Sequence, residues 1–238
     1  MAVTDLPVKE SALISASYSL NLSESRLLLL TLIIAKELLH AAELNALLGN
    51  RIEVSAERYA DMFDVPKDSA YCLMQDTCRS LFKRQFSYTE QANNGNLWHR
   101  TSHWVIDIAY LNETNTVSLN LAPAVISSIV DLEQHLTSYD IRKVVNLNNA
   151  HTIRLYELLT TLHRTGGTSR VSLEELRHKL GILEGEYKRM FDFKRQVLDY
   201  SIAQINENTD ICVSYEQHRE VRSISGFTFK IETKKSFY

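Results

Sequence analysis

Apolar residues recur with two different periods along the chain, and the order of these segments repeats. The first long segment is apolar on most helical faces, which predicts a buried helix from Ser23, a residue type common at N-caps, to Leu48. The elements predicted after it are a strand at 51–54, a helix from Ser55 to Phe63, a turn at 64–67, a helix from Asp68 to Gln85, strands at 86–91, 97–110 and 116–121, and a helix from Pro123 to Val130. Asn94-Gly95 between two β-prone segments is a strong hairpin signal. Helices followed by a hairpin in this order indicate a winged-helix domain.

The second half of the chain repeats this order. The elements predicted there are a helix from Asn149 to Arg164, a strand at 170–171, a helix from Leu173 to Leu180, a helix from Lys188 to Asn206, and strands at 211–216 and 223–231. Ser172 and Glu175 form a predicted capping box, and Gly181 stands at the C′ position. The pattern Val54-Ser55-x-Glu57-x-Tyr59-x-x-x-Phe63-x-Val65 returns in type and spacing as Val171-Ser172-x-Glu174-x-Leu176-x-x-x-Leu180-x-Ile182, and Arg26-Leu27-x-x-Leu30 returns as Arg154-Leu155-x-x-Leu158. We therefore predict an α+β fold of two tandem winged-helix domains, 1–135 and 136–238, related by a pseudo-two-fold internal duplication.

Composition narrows the class of protein. With 45% hydrophobic residues the chain of 238 residues can fill a substantial core, and only seven Gly and three Pro argue against long flexible linkers. No apolar run reaches the roughly 18 residues of a membrane span, and Met1 to Glu10 carries acidic residues and no apolar core of a secretory signal. Three cysteines without a framework spacing are typical of reduced thiols. We expect a cytoplasmic protein without a membrane partner.

The net charge of −3 hides a difference between the two halves. Residues 1–140 hold 10 basic and 17 acidic side chains, whereas residues 141–238 hold 16 basic and 12 acidic ones. The distribution of charge matters more for nucleic-acid binding than its sum. The second half is therefore the better candidate for contact with phosphates.

Each predicted helix-turn-helix places its second helix in a position to enter a major groove. In the first domain the outward ridge of that helix is Gln75, Arg79 and Lys83, and these residue types can read adenine, read guanine and neutralise phosphate, respectively. The residues predicted to face inward on the same helix are Ala70, Met74, Thr77, Cys78, Leu81 and Gln85. By itself such a ridge is more often a solvated face. The second domain places four basic residues among eight at the start of its long helix; the candidates there are Lys188, Arg189, Lys194, Arg195 and Gln196. The residues predicted to turn inward on this helix are Val197, Leu198, Ser201 and Ile205, which leaves Arg189, Arg195 and Gln196 facing out. Cations at this end oppose the helix dipole, and this unfavourable placement indicates a role in binding phosphate.

The tips of the two hairpins, 93–96 and 217–222, are further candidates for contact with the DNA backbone. Patterns for catalysis are missing from the sequence, since it has no phosphate-binding loop. His99 and His103 lie on a predicted strand without a third ligand nearby, and Cys72 and Cys78 point to different faces of one helix. We expect no enzymatic activity, no cofactor and no metal.

Five segments match a known family in the same order along nearly the whole chain. They are Leu13-Ile14-x-Ala16-x-Tyr18-x-Leu20-x-Leu22-x-Glu24-x-Arg26-Leu27-Leu28-Leu29, Arg154-Leu155-Tyr156-Glu157-Leu158-Leu159, Asp192-Phe193-Lys194-Arg195-x-Val197-Leu198, Ile205-Asn206 with Thr209-Asp210-Ile211, and Phe227-x-Phe229-x-Ile231. By these motifs the chain resembles the iteron-binding replication initiator proteins of theta-replicating plasmids.

The resemblance implies two winged-helix domains that bind tandem repeats of double-stranded DNA at a plasmid origin, open the origin, and recruit the host replication initiator and helicase. It also implies that monomers bind the repeats, whereas homodimers formed through the first domain repress their own gene or are inactive. The basic run at 188–195 falls on the family's second-domain recognition helix.

Two segments depart from the family's pattern, and two other interpretations stay open. Gln217-His218-Arg219-Glu220 replaces a glycine-containing basic wing, and the segment 40–50 is longer than usual. A transcriptional repressor of the same fold needs the same groove contacts without a role in replication. The third interpretation is a protein–protein interaction module whose recognition helices bind partners, which the acidic first half makes credible for one domain. A replication test with origin-bearing DNA separates the first two, and gel shifts with each isolated domain test the third.

Overall fold

The computed structural model describes residues 19–41, 51–92, 95–126, 142–164, 170–220 and 223–234. The helices are α1 (Leu22–Ala41), α2 (Ala56–Phe63), α3 (Lys67–Phe82), α4 (Arg142–Val145), α5 (Ala150–Arg164), α6 (Leu173–Lys179) and α7, which joins the segments Met190–Phe193, Lys194–Asp199 and Tyr200–Asn208. The strands are β1 (Ile52–Ser55), β2 (Gln85–Gln91), β3 (Leu97–His103), β4 (Val105–Leu111), β5 (Thr116–Leu121), β6 (Arg170–Ser172), β7 (Ile211–Glu220) and β8 (Ser223–Thr233). Within these ranges no helix has the length and apolar character needed to cross a membrane.

The first domain packs α1, α2 and α3 against three antiparallel strands in the order β1-β5-β4. Alternate residues of the strands face the helices, among them Ile52 and Val54 of β1 and Val117 and Leu119 of β5, which are all buried. The inner face of α3 is the predicted one; its buried residues are Ala70, Met74, Thr77, Cys78 and Leu81. The helical and strand periods of the sequence therefore describe this core correctly.

The single strand predicted at 97–110 is two strands in the structure. Trp104 separates β3 from β4, and its buried ring lies 4.6 Å from that of Phe86. On either side of it the chain joins different sheets, since β3 pairs with β2 and β4 pairs with β5. The prediction was wrong because β-prone residues on both sides of Trp104 look continuous, whereas burial of the indole is a tertiary event.

The first helix begins at a different residue from the one predicted. Asn21, not Ser23, is the N-cap of α1, because the amide of Glu24 donates to Asn21 Oδ1 (2.8 Å). In return the amide of Asn21 donates to Glu24 Oε2 (2.7 Å), which completes a capping box. Ser23 is a residue type that often caps helices, but here it is already the second residue of the helix. The predicted end at Leu48 lies outside the described residues.

The second domain packs α5, α6 and α7 against strands in the order β6-β8-β7. Ser172 is the N-cap of α6 and accepts a hydrogen bond from the amide of Glu175 (3.1 Å), as predicted. Gly181 follows the helix with φ 67°, a left-handed conformation that glycine adopts without strain. The amide of Ile182 donates to the Arg177 carbonyl (3.0 Å), as in a Schellman motif. Both ends of this helix are therefore set by local sequence signals.

The internal repeat seen in the sequence is present in the structure. In each domain the first strand pairs with the last strand, which pairs in turn with the one before it. Ser55 caps α2 by accepting from the amide of Arg58 (3.2 Å), as Ser172 does for α6. Asp64 has φ 51° at the position that matches Gly181, and Asp is one of the residues that tolerate this conformation. Two tandem winged-helix domains are therefore confirmed.

The two domains meet where α1 packs on α5. Leu28, Leu29 and Leu32 of α1 line a small pocket together with Ala150 and Ile153 of α5, and all but Leu32 and Ala150 are buried. The predicted domain boundary at residue 135 lies outside the described residues, so the position of the boundary stays a prediction.

Candidate nucleic-acid interface

The second helix of the second helix-turn-helix is α7, and its two faces are those predicted. The four residues expected to turn inward are all buried: Val197, Leu198, Ser201 and Ile205. Arg195 and Gln196 lie on the opposite side and are exposed. Residues Lys194–Asp199 form a π-helical segment, a feature that often occurs at functional sites. The helix therefore presents a basic, polar side to solvent while its other side anchors it in the core.

The start of this helix differs from the prediction. The first helical residue is Met190, so Lys188 and Arg189 stand before the helix and not on its first turn. Arg189 is the N-cap residue, and its carbonyl accepts a hydrogen bond from the amide of Phe193 (3.1 Å). The two basic side chains therefore extend from the segment that leads into the helix, where both are exposed.

Lys194 is held by the wing of its own domain. Its ammonium donates to Gln217 Oε1 of β7 (3.0 Å) and lies 5.6 Å from the centre of the Tyr215 ring. The Tyr215 hydroxyl donates to Asp199 Oδ1 (2.7 Å), and burial, followed by the Asp199 carboxylate, raises the pKa of Tyr215. These contacts fasten α7 to β7 at two points. Lys194 was predicted as a DNA contact, and here it is half-buried and joins the helix to the wing.

Three predicted cations are free to meet an anion. Lys188, Arg189 and Arg195 are exposed, and none of them makes an ion pair or a side-chain hydrogen bond within the part of the chain that the structure describes. An unpaired guanidinium keeps all its donors for phosphate or for guanine. This group of side chains, with the exposed amide of Gln196, is the candidate DNA surface of the second domain.

The wing of the second domain is longer than predicted. The strands β7 and β8 run to Glu220 and from Ser223, so the segment predicted as a polar tip, 217–220, lies in a paired strand. The His218 ring is hydrogen-bonded to Thr228 Oγ1 across the hairpin (2.7 Å). The end of the wing at 221–222 lies outside the described residues.

The polar ridge predicted on the first recognition helix is less available for contact with DNA than the exposed side of α7. Arg79 of α3 pairs with Asp76 (2.8 Å) and lies 5.6 Å from the centre of the Tyr110 ring. The helix ends at Phe82, so Lys83 is its C-cap residue and no longer continues the ridge. Gln85, predicted as the last inward residue of the helix, instead begins β2 and is exposed.

Gln75 keeps its predicted outward position on the same helix, where its side chain is partly exposed and its carbonyl accepts a hydrogen bond from the Tyr110 hydroxyl (3.4 Å). The sheet order also identifies a different wing for the first domain. The turn between β4 and β5, at 112–115, corresponds to the wing of the second domain, whereas β2 and β3 form an additional hairpin after α3. Asn112 accepts a hydrogen bond from the Tyr71 hydroxyl of α3 (2.7 Å), so this wing is also fastened to its recognition helix.

The prediction of 93–96 as the wing of the first domain was therefore wrong in topology. Asn93 and Asn94 themselves lie outside the described residues, and Gly95 has φ 85°, as a tight turn requires.

Three residues near these surfaces were not predicted from the sequence. Tyr215 and Asn112 join wings to recognition helices, and no sequence signal identifies such cross-contacts. Phe191 is 68% exposed on the first turn of α7, four residues before Arg195. The same helical spacing that selected Arg195 could have selected this residue.

Among the described residues no group of three or more His, Cys, Asp or Glu side chains has the arrangement of a metal site.

Known protein families account for most of the chain. The family described as Initiator Replication protein, WH1, matches residues 7–160, and the family described as Initiator Rep protein, WH2, matches residues 172–231. An uncharacterized 27.6 kDa protein of Escherichia coli is 24% identical over 215 residues, which cover 88% of this chain and 89% of that relative. The first match covers the first domain and continues into α5 of the second, and the second match runs from the end of β6 into β8.

Solved structures show the same architecture. The Pi initiator protein, determined in complex with iteron DNA, superposes with a TM-score of 0.63 at 18% identity and covers 95% of this chain and 100% of its own. Domains 2 and 3 of RctB give a TM-score of 0.51 at 9% identity, over 90% of this chain and 83% of that one. The WH1 domain of the replication protein MSBI1.176 is 39% identical over 50% of this chain and 85% of its own, with a TM-score of 0.39. At such identities the first two likenesses establish a shared fold.

Proposed function

Because the chain belongs to the family of initiator replication proteins with WH1 and WH2 domains, we propose that it starts plasmid replication by binding tandem repeats of double-stranded DNA at the origin. The observation that carries this proposal is the set of exposed, unpaired cations at the start of α7, which are Lys188, Arg189 and Arg195. The Pi initiator protein shares the fold and binds iteron DNA, which supports repeats as the target.

The second domain supplies the main sequence-reading contacts in this proposal. Arg195 and Gln196 lie on the outer side of α7, where a bidentate Arg reads guanine and a Gln reads adenine. Lys188 and Arg189 approach the same groove from outside the helix, where cations contact phosphates and fix the register. Gln75, Arg79 and Lys83 of the first domain add a weaker contact, since Arg79 is already paired with Asp76.

Footprinting with the full chain on the DNA that flanks its own gene tests this function. We expect protection of several repeats at regular spacing and an affinity that falls steeply with salt, because each neutralised phosphate contributes about −0.9 to the slope of log affinity against log salt. Equal affinity for these repeats and for random DNA of the same length would contradict the proposal.

Replication itself requires a separate test. When the gene is supplied in trans, a DNA circle that carries the repeats is expected to replicate, and the same circle with scrambled repeats is not. Protection of the repeats without replication supports the alternative, a repressor with the same fold. The proposal includes recruitment of the host initiator and helicase. It includes no catalytic step by this chain, and the expected location of the chain is the cytoplasm.

The proposal includes a homodimer that forms through the first domain and represses the chain's own gene. Support comes from the additional hairpin, whose strand β3 carries the exposed side chains Leu97 and Trp98 and pairs only with β2 among the described residues. An open strand edge with apolar side chains is a common site of pairing between chains. Sedimentation should show that Trp98→Ser weakens the dimer, whereas Leu183→Ser, a change at an equally exposed residue of the second domain, leaves it intact.

A further inference from the structure

An aromatic side chain stands among the basic residues at the start of the second recognition helix. Phe191 is 68% exposed, more than any other large hydrophobic side chain among the described residues. A single exposed apolar residue is common on protein surfaces and needs no explanation by itself. Phe191, however, lies in the first turn of α7, and the N-terminal residues of a recognition helix are those that contact base edges.

The geometry of the helix directs this ring toward the DNA side. Phe193, two residues later, is fully buried and lies 6.4 Å from the Phe227 ring, so Phe191 cannot share that inner face. Phe191 and Arg195 are four residues apart and lie on one side of the helix. Side chains of helical residues also lean toward the N-terminal end. The ring therefore extends toward the segment that carries Lys188 and Arg189, and the N-terminal residues of a recognition helix are those that meet base edges.

The chemistry of the neighbourhood favours DNA over an apolar protein partner. The exposed charged residues within four positions of Phe191 along the chain are the cations Lys188, Arg189 and Arg195, and the one acid in this segment, Asp192, is half-buried. This excess of positive charge matches a polyanion and not the apolar surface of another protein. Inside the major groove the one apolar group that a base edge presents is the 5-methyl group of thymine, and aromatic side chains are among those that contact it. An apolar ring flanked by cations fits such a methyl group at the bottom of an anionic groove.

We propose that Phe191 reads a thymine in each repeat by packing on its 5-methyl group, next to the base read by Arg195. This inference rests on the proposed function and names one specificity contact of that same surface. It makes Phe191 a source of base preference, whereas Lys188 and Arg189 contribute affinity without preference.

Replacement of thymine by deoxyuridine tests the contact, because it removes only the methyl group and leaves base pairing intact. A library of randomised duplexes selected with the full chain supplies the binding site, and each thymine of that site is then changed singly to deoxyuridine. For the unaltered protein we expect one position per repeat at which the change weakens binding roughly fourfold, the value for loss of one buried methyl group. For Phe191→Ala this position should show no loss, and a site selected with that variant should have no thymine preference there.

Matched variants exclude indirect causes. Phe191→Leu retains an apolar side chain and should keep part of the methyl effect, and Leu183→Ala, at 61% exposure outside the helix, should keep all of it. Because Phe191 is exposed, Phe191→Ala should unfold at the same temperature as the unaltered chain. The same deoxyuridine profile in both proteins, or a site without any methyl effect, overturns the inference and leaves the proposed function in place. A selection that enriches no sequence contradicts the proposed function itself.

Discussion

The two domains share one scaffold but connect it to their recognition helices through different chemistry. In the first domain the buried Glu24 of α1 accepts hydrogen bonds from the Ser80 hydroxyl of α3 and from Arg84 just beyond that helix. The matching residue of the second domain is Thr152 of α5, since each stands two residues before the repeated Arg-Leu pair. Thr152 donates to Ser201 Oγ of α7 (3.0 Å). A charged contact thus orients one recognition helix and a neutral hydroxyl pair orients the other.

The two recognition helices also differ in how free their cations are. Arg79 of α3 is held by Asp76 and by the Tyr110 ring, whereas Arg195 of α7 has no such partner within the described residues. Both arginines are exposed on the outer sides of their helices, Arg79 in the last turn of α3 and Arg195 in the second turn of α7. An outward position on a recognition helix therefore does not decide whether a cation is available, which depends on the neighbours that the tertiary structure brings.

The largest expected effect concerns the contact of α1 with its recognition helix. Glu24→Ala removes a buried carboxylate that holds three donors, so we expect a loss of about 3 kcal/mol in the free energy of unfolding of the first domain. Both tryptophans, Trp98 and Trp104, belong to this domain, so urea unfolding followed by tryptophan fluorescence reports on it alone.

The matched control is Thr152→Val in the second domain. Loss of one neutral hydrogen bond should cost about 1 kcal/mol, visible by far-UV circular dichroism and absent from the tryptophan transition. Equal losses for the two variants would show that the charged and the neutral contact are equivalent.

A smaller effect is expected on base discrimination. Arg195→Ala should lose about 2 kcal/mol of preference for the specific repeat over a repeat with one changed base pair. Arg79→Ala should lose less than about 0.5 kcal/mol, because an exposed residue already paired with Asp76 makes little further contact. Competition gel shifts measure both losses. A loss of the same size in the two variants would show that the two domains contribute equally to base discrimination.

Salt dependence should separate the free cations at the start of α7 from Lys194, which contacts the wing. Lys188→Ala removes a free ammonium and should reduce the slope of log affinity against log salt by about 0.9. Lys194→Ala should change this slope little, since Lys194 contacts Gln217 and Tyr215. Titrations at several salt concentrations give both slopes, and a full unit lost with Lys194 would make it a phosphate contact after all.

The smallest expected effect is a gain. Asp76→Asn frees Arg79 and removes a negative charge beside the proposed DNA contacts of α3, so affinity should rise by about two- to fivefold, as expected for an exposed ion pair. Fluorescence anisotropy with a labelled repeat measures it. A variant that binds no better than the unaltered chain would mean that α3 is not near the DNA.

Local signals in the sequence were sufficient for several helix ends and for the repeat. Ser55, Ser172 and Gly181 mark helix ends through bonds within a few residues, and the structure has each of them in that role. The periodicity of α7 also identified its buried and exposed sides. The capping of α1 by Asn21 was not found, because Ser23, a residue type that also caps helices, lies two residues away. The break at Trp104 was not found, because no local signal in the sequence marks it.

The sequence by itself determined the two winged-helix domains, the inner faces of their helices and the excess of basic residues in the second domain, since these follow from residue type and spacing along one chain. Only the tertiary structure decided which cations are free. Lys194 and Arg195 are adjacent in sequence, yet one is bound to Gln217 of the wing and the other is exposed without a partner among the described residues. That difference depends on strands folded back from distant parts of the chain, and no local pattern records it.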